Sequence, residues 1–350
     1  ENIHKVIDPL FLNDLRRELD DILEEKVEKQ RKRKLGEYQT KLSSLTFLDP
    51  ACGSGSLLMQ VAKVIGKDNV TDGFYGQETE PTTHRLCRMN LFLHGISPHK
   101  FDIHKGDTLL YPSEFHKSRK PFEVAVSNPP YSTKWDGDEN PVLVSDERFA
   151  PAGALAPKNA ADFAFIMHTL SWLAPNGTAA IVCFPGIFYR TNKAESTIRK
   201  YLMENNFVDA VIDLPPNLFF GNNTIAVTIL VLKKNKTNDN TVLFIDGKDQ
   251  FIKDGNKNRL TDENIDNIFK LYCDRKDVPH RAMVVPFEKI RERFERSEPA
   301  FLRRCDRSFI FISSADKTYP SGRTVTENST AIRYGLTVTF RMSGSFVKPE

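Results

Sequence analysis

The stretch Phe47-Leu48-Asp49-Pro50-Ala51-Cys52-Gly53-Ser54-Gly55-Ser56-Leu57-Leu58 decides the fold. It reads as a buried strand ending on an acid, a glycine turn and the first turn of a helix. Gly53 and Gly55 carry no Cβ, so the backbone can turn tightly there and approach a ligand closely. The helix that follows would point free N–H groups at that ligand, a favourable place for a carboxylate. A dinucleotide fingerprint requires a third glycine three positions after Gly55; Leu58 stands there, which argues against NAD. An acid directly before the turn suits an ammonium group. S-adenosylmethionine has an amino-acid end and an adenosine end, and fits both features. Taken alone, the stretch is equally compatible with an ordinary strand-to-helix loop.

A second motif bears on that choice. Phe122-Glu123-Val124-Ala125-Val126 has the pattern of a buried strand and runs directly into Ser127-Asn128-Pro129-Pro130-Tyr131. An Asn-Pro-Pro run by itself is a rigid turn or an extended linker. At the C-terminal edge of a strand, such a turn lies where an open α/β sheet binds its ligands. The exocyclic amine of a base is a poor nucleophile, because its lone pair is delocalised into the ring. The Asn128 side-chain carbonyl can accept one amine hydrogen and the Pro129 carbonyl the other. Two acceptors on a stiff turn would aim the lone pair at a sulfonium methyl, which is catalysis by positioning and fixed dipoles. Tyr131 offers a flat surface for the base, and stacking of this kind is worth roughly 1–3 kcal/mol.

The run Asp49–Ser56 together with Ser127-Asn128-Pro129-Pro130-Tyr131 resembles the N6-adenine DNA methyltransferases. From about Gly73 to about Lys289 the chain is similar, more narrowly, to the modification (methylase) subunit of type I restriction–modification systems. That closer likeness rests on Phe74-Tyr75-Gly76-Gln77-Glu78, Met89-Asn90-Leu91-Phe92-Leu93-His94-Gly95-Ile96, Asp162-Phe163-Ala164-Phe165 and Leu214-Pro215-Pro216-Asn217-Leu218-Phe219-Phe220. Asn-Pro-Pro-Tyr also occurs in some protein-glutamine and RNA methyltransferases. The paired Asp-Pro-Ala-Cys-Gly-Ser-Gly is more specific to the DNA group.

The resemblance implies a Rossmann-like class I methyltransferase, a doubly wound α/β fold with a mostly parallel seven-stranded sheet and an antiparallel last strand. It implies S-adenosylmethionine as cofactor, adenine N6 in DNA as acceptor with the base flipped out, and no metal. The implied partners are DNA, a specificity subunit, a restriction subunit and a second methylase subunit. The cofactor would be held by Asp49, near its amino group, and by Ala51, Gly53, Ser54, Gly55 and Ser56. Asp107, with Thr108, would meet the adenine amine of the cofactor; an Asp in a turn after Gly106 is the plainer reading. Glu78 ends a second strand, where a carboxylate suits two ribose hydroxyls; a helix-capping or surface acid is the alternative. Catalysis would fall to Asn128, Pro129, Pro130 and Tyr131. Phe220 would complete a sandwich around the base opposite Tyr131, unless it simply packs the core.

Composition sets wider bounds. With 350 residues, 40% of them hydrophobic, the chain can build a sizeable core. No apolar run is long enough to span a bilayer, so no membrane partner is expected. Five scattered cysteines without a Cys-x-x-Cys pair fit a reducing cytoplasm and no zinc site. The net charge of +3, from 49 basic and 46 acidic residues, does not announce a nucleic-acid protein.

Three regions are expected: a helical segment over 1–45, a methyltransferase domain over 46–289 and a basic, Ser/Thr-rich tail over 290–350. Leu12, Leu15, Leu19, Ile22, Leu23 and Val27 predict a helix from about Leu10, ended by Gly36. Asp8-Pro9-Leu10-Phe11-Leu12 and the residues up to Gly53 resemble fused restriction–methyltransferase enzymes rather than a type I subunit. Strands are predicted near Gly73–Gln77, Phe101–Lys105, Phe122–Val126, Thr178–Phe184, Val208–Leu214, Ile225–Leu232 and Val242–Asp246. Helices are predicted after Ser56, after Pro81, over Phe163–Leu173 with Asp162 as cap, over Ala194–Asn205 and over Leu260–Asp274. Pro175-Asn176-Gly177 predicts a turn, and His168 a satisfied structural residue. Residues 132–160 have no clear period and follow the Asn-Pro-Pro-Tyr turn, as a loop over the substrate would; Trp135 is either a DNA contact or a hydrophobic tether. The tail reads as disordered, a private addition or a shifted frame. Two rivals stand beside the DNA-methylating reading: an RNA or protein-glutamine methyltransferase, and an inactive, truncated methylase that only binds DNA or partner subunits.

Overall fold

The fold is that of a computed structural model, which describes residues 2–295 except 72, 120, 138–139, 219–225 and 237–239. The expected residue Phe220, the start of the strand expected at Ile225 and most of the 290–350 tail therefore lie outside the described residues. Two helices lead, α1 (Asn2–Leu23) and α2 (Glu28–Ser43). Strand β1 (Phe47–Asp49), helix α3 (Ser56–Ile65), β2 (Phe74–Glu78), α4 (Pro81–Leu93) and β3 (Phe101–Lys105) follow. Next come α5 (Glu114–Arg119), β4 (Phe122–Ser127), the single turn α6 (Pro141–Val144), α7 (Asp162–Trp172) and β5 (Leu173–Cys183). The chain continues through α8 (Lys193–Glu204), β6 (Val208–Asp213), β7 (Thr228–Lys233) and β8 (Thr241–Asp246). A small hairpin, β9 (Ile252–Asp254) with β10 (Lys257–Arg259), precedes α9 (Asp262–Asp274), β11 (Ala282–Pro286) and α10 (Phe287–Glu295).

Nine strands form one sheet in the order β11-β8-β6-β7-β5-β4-β1-β2-β3. The run β3-β2-β1-β4-β5-β7-β6 is the expected seven-stranded sheet, parallel except for β7, which is antiparallel to both β5 and β6. The strand expected over Val242–Asp246 is β8, which adds parallel to β6, and β11, which was not expected, adds antiparallel to β8. At the opposite edge β3 is the last strand. There the His84 ring meets the Ile103 carbonyl, Nε2 to oxygen 2.8 Å.

Successive residues of a strand face opposite sides, and here both sides are covered. Phe47, Phe74, Val124, Val182, Ile212 and Ile229 join a core with α1, α3, α4 and α9. Leu48, Tyr75, Phe122, Ala125, Ile181 and Leu230 join a second core with α7 and α8. Strands buried on both faces read as continuous apolar runs, which made β4 and β7 conspicuous. Burying each such large side chain stabilises the fold by roughly 1.5–3 kcal/mol.

Several local expectations need correction. Gly36 does not stop a helix; it lies inside α2, and the break comes at residues 24–27. There Glu25 turns back to pair with Lys34, at 2.8 Å, and the lysine holds its carboxyl below the usual range. Val6, Ile7 and Leu10 of α1 belong to the same core as β1, because α1 packs on α3 and α9. Pro175-Asn176-Gly177 is not a free turn. It is an irregularity within β5, where the pairing with β4 jumps from Phe122–Leu173 to Val124–Thr178. Among the described residues no helix is long and apolar enough to cross a membrane.

Candidate active site

Strands β1 and β4 are parallel neighbours, with Phe47 opposite Val124 and Leu48 opposite Ala125. Their C-terminal ends therefore bring Asp49 and the turn that starts at Asn128 to the same edge of the sheet. The glycine turn and the Asn128-Pro129-Pro130-Tyr131 turn share that edge, where open α/β sheets bind ligands.

The glycine turn is held by its own backbone and by β2. Gly55 N–H donates to Cys52 O at 2.8 Å, and Cys52 N–H to Gln77 O at 3.1 Å. Gly53 and Gly55 both have positive φ, 51° and 80°. A Cβ on Gly55 would lie 2.7 Å from Cys87 Sγ, whereas one on Gly53 would meet nothing within 4 Å. Gly55 is thus required by packing and Gly53 faces open space. Cys52 sits buried beneath the turn, 3.7 Å from Cys87 sulfur to sulfur, and its thiol is pushed up by that contact and by burial. It is no nucleophile.

Two acids, Asp49 and Glu78, bond to this turn, and a third, Asp107, follows β3. Asp49 is 1% exposed. Burial pushes its carboxyl up to about 7, against the Ala51 N–H (3.1 Å) and the Ser127 hydroxyl, which favour the charged form; Glu78 pushes it further up. The Ser127 oxygen is otherwise buried without a hydrogen-bond partner. Glu78, at the end of β2, accepts Gly53 N–H at 3.0 Å through Oε2, and Glu80 N–H at 2.9 Å through Oε1. The helix-capping duty belongs to Glu80 instead, which accepts Thr83 N–H at the start of α4. Asp107 accepts the N–H groups of Leu109 and Leu110 through Oδ1, at 2.8 and 3.3 Å. Its loop is tied to β2 by Gln77, whose side chain bonds Tyr111 O (2.8 Å) and Ser113 N (3.1 Å). Ser54 is exposed on the turn and its carbonyl accepts from Asn90 Nδ2 at 3.1 Å; Ser56 opens α3.

Thr108 departs from its expected place. It is buried, with its hydroxyl 3.2 Å from His168 Nε2. Arg148 Nη1, always a donor, meets His168 Nδ1 at 3.2 Å, so the ring hydrogen is on Nε2 and is given to Thr108. The Thr108 hydroxyl therefore faces His168 inside the protein, and His168 is structural.

In the second turn Pro129 is buried, Asn128 and Tyr131 half-buried and Pro130 exposed. Tyr131 OH donates to Asn128 Oδ1 at 2.9 Å. Burial holds the Tyr131 phenol above its ordinary range, with Cys183 and Asp162 adding to the shift. Ser132, the next residue, has φ 50°. Its N–H donates to Asp162 Oδ1 at 3.0 Å. Asp162 is the first residue of α7, one position inside the N-cap Ala161, and its carboxylate reaches a residue 30 positions away.

The loop after this turn is anchored rather than free. Trp135 is 8% exposed, donates through Nε1 to Pro157 O at 3.1 Å and lies edge-on to Phe149. That is the tether reading, not a DNA contact. Arg148 is a second anchor absent from the sequence reading: buried, paired with Asp146 at 2.7 Å, and donating to Thr108 O and Leu109 O at 2.8 and 2.7 Å. No group of three or more His, Cys, Asp or Glu that can hold a metal ion occurs among the described residues.

The sequence model for the family described as N-6 DNA Methylase matches residues 37–300. The methylase subunit of the type I restriction enzyme MpnII from Mycoplasma pneumoniae is 51% identical over 251 residues, 70% of this chain and 46% of that protein. The MjaVIII methylase subunit from Methanocaldococcus jannaschii is 36% identical, over 70% of this chain and 43% of its own. The chain thus spans less than half the length of these relatives. The crystal structure of a type I restriction–modification methyltransferase subunit from Streptococcus thermophilus superposes with a TM-score of 0.66 at 36% identity, covering 75% of this chain and 60% of that one. The architecture is that of the class I methyltransferases, and the chain belongs to the N-6 DNA methylase family.

Proposed function

We propose that this chain transfers a methyl group from S-adenosylmethionine to adenine N6 in DNA, as the modification subunit of a type I restriction–modification system. The observation that carries the reading is the adjacency of β1 and β4, which sets a buried acid and glycine turn beside an Asn-Pro-Pro-Tyr turn. The names of its relatives, methylase subunits of type I restriction enzymes, support it. A specificity subunit would supply sequence choice, and a restriction subunit and a second methylase subunit are further partners that this role allows.

The residues present fit the cofactor. Asp49 is a buried carboxylate suited to an ammonium group. Gly53 leaves room for a ligand directly in front of the turn. Glu78 and Asp107 would take ribose hydroxyls and the adenine amine, and the backbone from Ala51 to Ser56 the carboxylate. When bound, S-adenosylmethionine supplies an electrophilic methyl group on a sulfonium.

The protein's own part is positioning. Asn128 Oδ1 and the Pro129 carbonyl accept the two amine hydrogens, so that the nitrogen lone pair is freed from the ring and directed. Pro130 stiffens the turn. Tyr131 stacks the base, with Phe220 as the second ring. The test is calorimetric titration with S-adenosylmethionine, followed by transfer of labelled methyl groups to DNA. The reading expects low-micromolar binding, about −8 kcal/mol, and an Asn128→Ala variant that binds cofactor but transfers nothing. Absence of binding by the unmodified chain, or transfer surviving in Asn128→Ala, overturns it. Methylation of RNA or of a glutamine peptide in place of DNA would reassign the substrate.

A further inference from the structure

Ser132 directly follows Tyr131 and has φ 50°. Glycine adopts that left-handed conformation freely, but a residue with a Cβ does not. Such a backbone persists only where its surroundings over-determine it. Two side chains do so here. Asp162 Oδ1 accepts the Ser132 N–H at 3.0 Å, and Arg190 Nη2 donates to Ser132 Oγ at 2.7 Å. The same guanidinium uses Nη1 to reach Asp162 Oδ2 and Glu195 Oε1, each at 3.2 Å. Asp162 opens α7 and Glu195 lies in the first turn of α8; both are buried. Arg199, also buried, donates to Arg190 O at 2.6 Å and to Ile187 O at 2.8 Å, which fixes the backbone carrying the guanidinium. One planar fork therefore joins the segment after β4, the start of α7 and the start of α8.

We infer that Arg190 and Asp162 are positioning residues for methyl transfer. They hold Ser132 in its left-handed conformation and so set the direction of the Tyr131 ring and, through the Tyr131–Asn128 hydrogen bond, of the amine acceptor. The inference rests on the proposed role of the Asn128-Pro129-Pro130-Tyr131 turn. Neither residue touches a reacting atom in this scheme. A fork with two nitrogens in fixed geometry serves three acceptors at once, which a lysine ammonium does not reproduce.

The test uses the full chain with Arg190→Gln, Arg190→Lys and the double variant Arg190→Gln/Ser132→Gly. It reads kcat and KM for methyl transfer, melting temperature, and hydrogen exchange at the Ser132 amide. Arg190→Gln is expected to lower kcat about 100-fold, the scale of a small misplacement of reacting groups, with KM for S-adenosylmethionine within about twofold. Arg190→Lys falls nearly as far and, keeping the charge, carries the comparison if the glutamine variant does not fold. Adding Ser132→Gly restores at least about tenfold in kcat, because glycine enters the left-handed region without the steric cost that the clamp offsets for serine. Unchanged kcat in Arg190→Gln, or a loss of melting temperature with no rescue by Ser132→Gly, overturns the inference in favour of a purely structural ion pair. Absence of methyl transfer by the unmodified chain would sink the proposed function instead. The exchange arm then still decides the clamp: a Ser132 amide protected in the unmodified chain and unprotected in Arg190→Gln supports it, and equal protection refutes it.

Discussion

The Tyr131 hydroxyl donates to Asn128 Oδ1 at 2.9 Å, so the ring proposed to stack a base also occupies the oxygen proposed to receive its amine. A side-chain amide oxygen has two lone pairs, and one stays available. Tyr131→Phe removes one hydrogen bond, worth about 1 kcal/mol, and should slow single-turnover methyl transfer about fivefold. Tyr131→Ala also removes the stacking surface and should cost about ten- to a hundredfold. Equal losses in the two variants would show that the hydroxyl, not the ring, matters.

Asp49 sets a pH dependence. An exposed or unfolded Asp titrates near 4, whereas burial pushes the folded carboxyl up to about 7. The folded state therefore holds a proton that the unfolded state has released between these values. The stabilisation from the neutral form is fully present below about 4 and is lost as pH rises through about 7. Asp49→Asn should flatten that part of a denaturant-stability profile. A cationic ligand group favours the ionised carboxyl, so affinity for S-adenosylmethionine should rise with pH up to about 7 and then level. Calorimetry in buffers of differing ionisation heat would show the proton released on binding. A pH-independent affinity in the unmodified chain would remove Asp49 from the ammonium site.

Glu78 is expected to act on the turn and the ligand together, because one carboxylate oxygen already holds Gly53 N–H. A hydrogen bond to a charged group is worth about 1.5–3 kcal/mol, so Glu78→Ala should weaken cofactor binding about ten- to a hundredfold. Glu78→Gln keeps an acceptor oxygen and should fall between. Titration calorimetry on the three proteins decides the order.

The two turn glycines should fail differently when replaced. Gly53→Ala meets no atom within 4 Å, so its stability cost is the backbone term, about 1–2 kcal/mol, while the new methyl intrudes on the ligand space and binding is lost. Gly55→Ala adds a clash with Cys87 Sγ and should unfold at clearly lower denaturant. Cys87→Ala in the same chain should recover part of that loss, because the clashing sulfur is gone. Urea titrations of the four proteins would test this ordering.

The sheet was largely legible in the sequence because its strands are buried on both faces. Runs such as Val124-Ala125-Val126 and Ile229-Leu230-Val231-Leu232 have no other use in a chain of this polarity. The acids at strand ends were legible for a related reason: a carboxylate after an apolar run has to meet something. Long-range pairing was not legible. Asp162 resembled a cap because local rules pair an acid with the next turn of helix, yet its partners are Ser132 and Arg190. Thr108 stood beside Asp107, but only the fold shows its hydroxyl turned towards His168. Gly36 looked like a helix end on propensity, about 1 kcal/mol. The packing of α1 and α2 outweighs that, and Tyr38 two residues later is buried with its hydroxyl on Leu15 O at 2.9 Å.

The outer strand β3 has a consequence for solubility. A terminal strand offers free backbone groups on which another chain can polymerise. Here the strand is five residues long, and its last two, His104 and Lys105, are exposed. Gly106 ends it, and the Ile103 carbonyl is already engaged by the His84 imidazole. An incoming strand would have to displace that ring and bring its own backbone against a lysine. The edge nearest the glycine turn is thereby protected from the sheet-to-sheet growth that begins many aggregates.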